Sequence, residues 1–193
     1  MKYTQIFIVI SLLITNISNS ETTETNKSVI LNEAKILLKE TAKQYKKTLI
    51  QGLQYNDLKK ALKYCNKEVE KLIFKDNEKD FYIKRVSLKP RNKNNYPTPY
   101  EKEILEKFNE LSLKDNKNLK LEHNEIIIDE NNNNKFVYSK AIRIKDVCLN
   151  CHGSDINDDL KKEIQKLYPY DKAINYKLND VRGAFVMYRY IKN

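Results

Sequence analysis

Apolar residues recur at Ile30, Ala34, Leu37, Leu38, Ala42, Tyr45, Leu49 and Leu53, spacings of three and four that lay one stripe along a long helix. The polar stretch before it, ETTETNK at 21–27, is predicted to fray. Gly52 and the following QYND predict the end of the helix, and Asp57 caps a second one with Leu58, Ala61, Leu62, Val69 and Leu72 on its apolar face. Cys65 falls on that face, so its side chain is expected to point inward.

After KDNEKD, the segment FYIKRVSLK is short and rich in β-formers and predicts a strand. PRNKNNYPTP holds three of the four prolines and reads as a loop. It ends in a helix start: Thr98 as N-cap, Pro99 at the first helical position and Glu101 three residues after the threonine, ahead of Ile104, Leu105, Phe108 and Leu111. HNEIIIDENNNNKFVYSKAIRIK predicts two strands around an asparagine-rich turn. Residues 158–168 predict a short helix stopped at Pro169, and GAFVMYRYI predicts a last strand with a two-residue alternation. The order describes an α+β domain: an antiparallel sheet with helices on one side or end.

The opening MKYTQIFIVISLLITNISNS carries one lysine, an apolar run from Ile6 to Ile14, and Ser18 and Ser20 where a signal peptidase reads small residues. It is read as a signal peptide over residues 1–20. The run is short for a bilayer span, and the alternative is an uncleaved anchor. Residues 21–193 then form one exported, periplasmic domain with no stable membrane insertion, of a length that suits a single core.

The formal net charge is +10; removing Lys2 with the leader leaves 35 basic residues, one fewer than 36, against 26 acidic ones. The lysines are scattered and interleaved with asparagine, which describes a solvated basic surface and no nucleic-acid face. Three cysteines make an odd number and fit a disulfide framework poorly.

The chemistry concentrates in DVCLNCHG at 146–153. Cys148 and Cys151 present their sulfurs at the spacing of the two vinyl groups of a haem, and His152 places an imidazole under the iron, the attachment pattern of a c-type haem. Competing readings are a Cys148–Cys151 disulfide or thioredoxin-like pair, which lacks a βαβ context, and a zinc site drawn from Cys65, Cys148, Cys151 and a histidine. The opposite face of the iron has three candidate ligands, Cys65, Met187 and His123, and local features leave the three open.

SKAIRIKDVCLNCHG, LYPYDKAINYKLNDVRGAF, ALKYCNKEV and KRVSLKPRNKNNYPTPYE together resemble the exported mono-haem family known from a cyanobacterial Tll-type haem domain, over nearly all of residues 21–193. Members of that family occur alone or as the sensing part of histidine kinases and chemoreceptors. The resemblance implies a PAS-like antiparallel sheet with flanking helices and one covalent haem c. Cys148 and Cys151 are its anchors, His152 the proximal ligand and Cys65 the distal one. It also matches Arg85 and Arg91 to basic positions able to pair with haem propionates, and Arg182 and Gly183 to an Arg-Gly before the last strand. One departure is Lys93, which stands where the family usually has proline and puts the conformation of that loop in question.

A thiolate opposite imidazole favours ferric iron, lowers the potential and closes the coordination shell. The expected function is therefore a redox or small-gas sensor that converts the state of the iron into movement of residues 57–74, signalling to a separate receptor. The alternative is a periplasmic electron-transfer cytochrome c docking acidic redox partners through its lysines. A haem enzyme has the least support, because no acid/base constellation accompanies the motif.

Overall fold

The computed structural model describes residues 4–55, 57–74, 81–114 and 120–191, with side chains described from residue 26 and not over 69–74. The apolar run and serines of the expected leader, Val69, Leu72 and KDNEKD therefore lie outside the described side chains. Helix α1 runs Thr4–Leu53 and α2 runs Leu58–Phe74. Strand β1 is Phe81–Val86, α3 is Pro99–Lys114, β2 is Glu122–Ile128 and β3 is Asn134–Arg143. Helix α4 is Asp146–His152, α5 is Asp158–Leu167 and β4 is Val181–Tyr190. The chain falls into two units, Met1–Leu37, which is α1 from Thr4 onward, and Leu38–Asn193, which holds the sheet. Among the described residues no helix is long and apolar enough to cross a membrane.

Residues 21–27 do not fray; they are helical within α1. No proline or glycine lies between Thr4 and Gly52, so nothing in the backbone interrupts the i→i−4 ladder through the polar stretch. The other local signals form as expected. Asp57 Oδ1 accepts from the backbone N–H groups of Lys59 at 2.8 Å and Lys60 at 3.3 Å, capping α2. At α3, Glu101 Oε2 accepts from Thr98 N at 2.7 Å while Thr98 Oγ1 accepts from Glu101 N at 3.3 Å, a reciprocal capping box. The β2–β3 turn is organised by Asp129, whose Oδ1 accepts from Asn131 N and Asn133 N at 2.9 Å, with Asn132 at φ 62°.

The sheet is antiparallel throughout, in the order β1-β4-β3-β2, so the last strand lies inside and the hairpin β2–β3 pairs onto it. This is the α+β architecture expected, with one correction. Helices cover both faces. On one face α3 packs Ile104, Leu105 and Phe108 against Val86, Val137, Ala184 and Val186. On the other, Tyr45 of α1 stands edge-on to Phe185, ring centroids 5.7 Å apart. The expected alternation along β4 is accordingly absent: Ala184, Phe185, Val186 and Met187 are all buried, because a central strand between two covered faces has no solvent side.

Gly183 is required where β4 enters the sheet. A Cβ there would lie 2.3 Å from the Val86 carbonyl oxygen, a backbone atom with nowhere to move. The close approach is thus to strand β1. Lys93, in place of the family's proline, is the first residue of a single 3-10 turn, Lys93–Asn95, whose N-cap Asn92 accepts from Asn94 N. That first position is one where proline is also favoured, so the lysine leaves the turn's conformation available.

Candidate functional site

The motif residues Cys148, Cys151 and His152 all lie on the two turns of α4, which begins three residues after β3 ends. Its C-terminal end is fixed from outside. Gly153 N donates to Leu149 O at 2.9 Å, and a Cβ on Gly153 would stand 2.7 Å from that same oxygen, so glycine lets the chain turn away there. The loop before β4 then returns: Asn175 N donates to Gly153 O and Tyr176 N to His152 O, each at 3.0 Å.

His152 Nδ1 lies 2.8 Å from the Ala173 carbonyl oxygen. A carbonyl can only accept, so Nδ1 carries the proton and Nε2 presents a lone pair, the state an imidazole needs to bind a metal. The Tyr176 ring stands edge-on to the imidazole, 6.3 Å between centroids. Burial first, and then the charges of Arg182 and Arg91, push the His152 pKa well below its ordinary value, while the bond to Ala173 opposes the shift. The neutral ring is favoured.

Arg91 holds this arrangement together. It is buried and its guanidinium donates to the carbonyl of Cys151 and, at 3.3 Å, to that of Ala173, the carbonyl that also receives His152. It forms an ion pair with buried Asp171 at 3.1 Å, and Asp171 in turn accepts from Ala173 N at 2.8 Å. Its Nε is buried and has no hydrogen-bond partner. Arg85, on β1, lies over the Tyr45 ring at 4.9 Å. With the Asn95 amide in its better-satisfied orientation, that side chain receives the Arg85 guanidinium and donates to the Arg85 carbonyl, both at 3.1 Å. Burial, and then the charge of Arg182, lowers the Arg85 pKa to about 9. Arg182 donates to Ser87 Oγ at 2.9 Å and the Lys89 carbonyl at 3.2 Å, and burial lowers its pKa as well. Arg85, Arg91 and Arg182 thus raise a positive potential around His152.

Cys65 is half-buried on α2, its Sγ facing Gly52 closely enough that a Cβ there would lie 3.2 Å from it. Leu62 of α2 forms one apolar cluster with Ile156, Leu160 and Ile164, against which Leu58 and Cys151 pack. Burial, and second the neighbouring Cys151, raises the Cys65 pKa to about 11. Leu58 and Leu62 of α2, the helix that carries Cys65, are thus packed in the same cluster as Cys151. Burial also raises the Cys151 pKa, against the pull of Arg91.

The other two candidate ligands lie elsewhere. Met187 is wholly buried in β4, in register with Ile83 and Tyr138 in the core of the sheet. His123 is on β2, 3.2 Å from Tyr100 Oη and 3.3 Å from Glu125. Among the described residues no three His, Cys, Asp or Glu side chains converge as a metal ligand set, so the four-ligand zinc site is not assembled. A haem, which brings four nitrogens of its own, asks the protein for axial atoms only. The residues present fit it: two sulfurs at attachment spacing, an imidazole with Nε2 free, a third sulfur nearby and buried guanidinium charge suited to carboxylates.

Asp171, Ala173 and Tyr176 are not singled out by the sequence, and Gly52 is read there only as the end of a helix. Asp171, Ala173 and Tyr176 lie inside the family-like segment LYPYDKAINYKLNDVRGAF, which was their only signal; a backbone carbonyl has none of its own.

The sequence profile of the family described as "Tll0287-like: Tll0287" matches residues 17–189. A solved structure described as that of the cyanobacterial heme-protein Tll0287 is similar at 23% identity over 64% of this chain and 70% of that one, with a TM-score of 0.46. No curated protein matches the chain.

Proposed function

The chain belongs to the Tll0287-like family, and on that premise we propose that it is a haem protein, exported to the periplasm, with one covalent haem c, acting as a redox or small-gas sensor. Cys148 and Cys151 would hold the group through thioether bonds, and His152 Nε2 and Cys65 would bind its iron. When bound, the group would supply a one-electron ferric/ferrous couple, whose potential an anionic sulfur ligand would lower.

The observation that carries the reading is a motif histidine whose Nδ1 is already committed to Ala173, on a helix whose Cys151 packs in the cluster lined by α2, the helix of the lone Cys65. The Arg91–Asp171 pair orients His152 by holding the Ala173 carbonyl, and Arg85 and Arg182 add positive charge for anionic groups. The sensing element is α2. It is stitched to α5 by Lys59–Asp159 and Lys63–Glu163, both 3.1 Å, and carries Cys65 beyond that anchorage. Loss of Cys65 from the iron would free the later part of that helix.

The second reading, an electron-transfer cytochrome c, is favoured by the net charge of +10, which suits docking to acidic partners. Protein matured in a host that attaches haem tests both. We expect a coloured product with the mass of one haem added and a ferric spectrum that changes in Cys65→Ser; a colourless product of bare polypeptide mass overturns the haem, and an unchanged spectrum removes Cys65 from the iron. Carbon monoxide uptake on reduction supports the sensor. Fast reversible electrochemistry without uptake supports the carrier.

A further inference from the structure

We propose that in the haem-free chain Cys65 and Cys151 close a disulfide in preference to the Cys148–Cys151 pair offered by the motif itself, withholding two of the three sulfurs until the bridge is reduced. Leu58, Leu62 and Cys65 are spaced by four and three on α2 and so share one stripe. Leu58 and Leu62 of that stripe pack in the cluster that receives Cys151. Cys148 packs in a different cluster, around Ile144, Ala173 and Tyr176. Its Sγ also accepts from Lys145 N at 3.4 Å, which directs it toward the first turn of α4. The two motif sulfurs are therefore divided between two apolar sites, and the one occupied by Cys151 is the one α2 faces.

The approach is held in place rather than incidental. Two ion pairs one helical turn apart, Lys59–Asp159 and Lys63–Glu163, fix α2 along α5, and glycine at position 52 leaves the space that the Cys65 sulfur occupies. All three cysteines are free thiols in the structure.

The step needs a two-electron oxidant, here oxidised glutathione. Attack by one sulfur forms a mixed disulfide and expels one glutathione thiol; the second sulfur displaces the other. Two S–H bonds are lost, one Sγ–Sγ bond forms, and the two electrons and two protons leave with two molecules of reduced glutathione. The bridge stands on the fold alone; its consequence for loading rests on the haem reading above.

Trypsin separates the partners, because Lys63 and Lys67 bracket Cys65 while Lys145 and Lys161 bracket the motif. The full haem-free chain, oxidised with glutathione and digested without reductant, should yield peptide 64–67 joined to peptide 146–161. The bridge should persist in Cys148→Ser and vanish in wild-type chain oxidised in guanidine, where closure of the short motif loop costs less and the internal pair takes over. A native digest dominated by an uncrosslinked motif peptide two hydrogens lighter, three unreacted thiols, or loss of the bridge in Cys148→Ser overturns the assignment. Bridged chain should attach haem in vitro at least tenfold more slowly than chain first treated with a phosphine reductant, and equal rates would remove the bridge from loading. Haem attachment without any native bridge would leave the proposed function standing and sink this inference; a bridge in protein that never takes haem would do the reverse.

Discussion

The Arg91 guanidinium and the Asp171 carboxylate meet at 3.1 Å with almost no exposure to solvent, and the carbonyl of Ala173 between them accepts both Arg91 and the imidazole of His152. The orientation of the motif histidine therefore depends on an ion pair outside the motif. Removing one partner of a buried pair leaves the other charge without compensation. Arg91→Met is expected to lower the unfolding free energy by about 3–5 kcal/mol, read as a drop in the urea midpoint at unchanged slope. A loss below 1 kcal/mol would mean that Asp171 is satisfied without it.

Glu101 is a second buried acid, at the start of α3. One oxygen caps the helix through Thr98 N; the other takes Lys84 at 2.9 Å and the hydroxyl of Tyr188. Glu101→Ala should cost on the order of 3 kcal/mol, a cap of about 1 kcal/mol plus the unpaired groups left behind. Glu101→Gln should cost less, since its amide oxygen can still cap. Equal losses in the two variants, measured by equilibrium denaturation, would remove the cap from the account and leave the lost charge as the cause.

Gly183→Ala places a methyl 2.3 Å from the Val86 carbonyl oxygen. Strands β1 and β4 must separate or the chain must shift. The expected cost is about 3 kcal/mol, at the upper end for overpacking. Amide exchange should rise most in β1, an edge strand with no other partner in the sheet to hold it. Wild-type protection in β1 of this variant would count against the close approach.

Alkaline pH should unfold the protein early. Tyr100, Tyr138 and Tyr188 have pKa values raised above the ordinary 10, in each case by burial first, followed by Glu125, Glu122 and Glu101 respectively. A raised folded-state value means that the unfolded chain ionises first, so the contribution of these groups is complete below pH 10 and declines as pH climbs toward their folded values. Stability by urea titration should therefore begin to decline near pH 9, where the raised Cys65 and Cys151 thiols start to contribute, and fall further above 10 in step with tyrosinate absorbance. Early ionisation near pH 10 with no loss of ellipticity would contradict this.

The features legible in the sequence are those whose causes lie within a few residues. TPYE closes on itself as a capping box, Asp57 caps α2, the asparagine-rich stretch turns between two strands, and Cys148, Cys151 and His152 share one short helix. The alternation expected of β4 fails for the opposite reason: whether a strand is half or wholly buried depends on which strands and helices come to flank it.

What the sequence by itself determined is the donor inventory and its local spacing: two sulfurs and an imidazole within five residues, and a third sulfur on the apolar stripe of a helix. The folded chain settled which tautomer the imidazole takes and which apolar cluster each motif cysteine enters, through Ala173 and Asp171 from one loop, Arg91 from another and the packing of α2 on α5. Helix periodicity and capping act over a turn or two of chain, whereas an ion pair or an apolar cluster forms between residues 80 or more positions apart only after the sheet has brought their elements together.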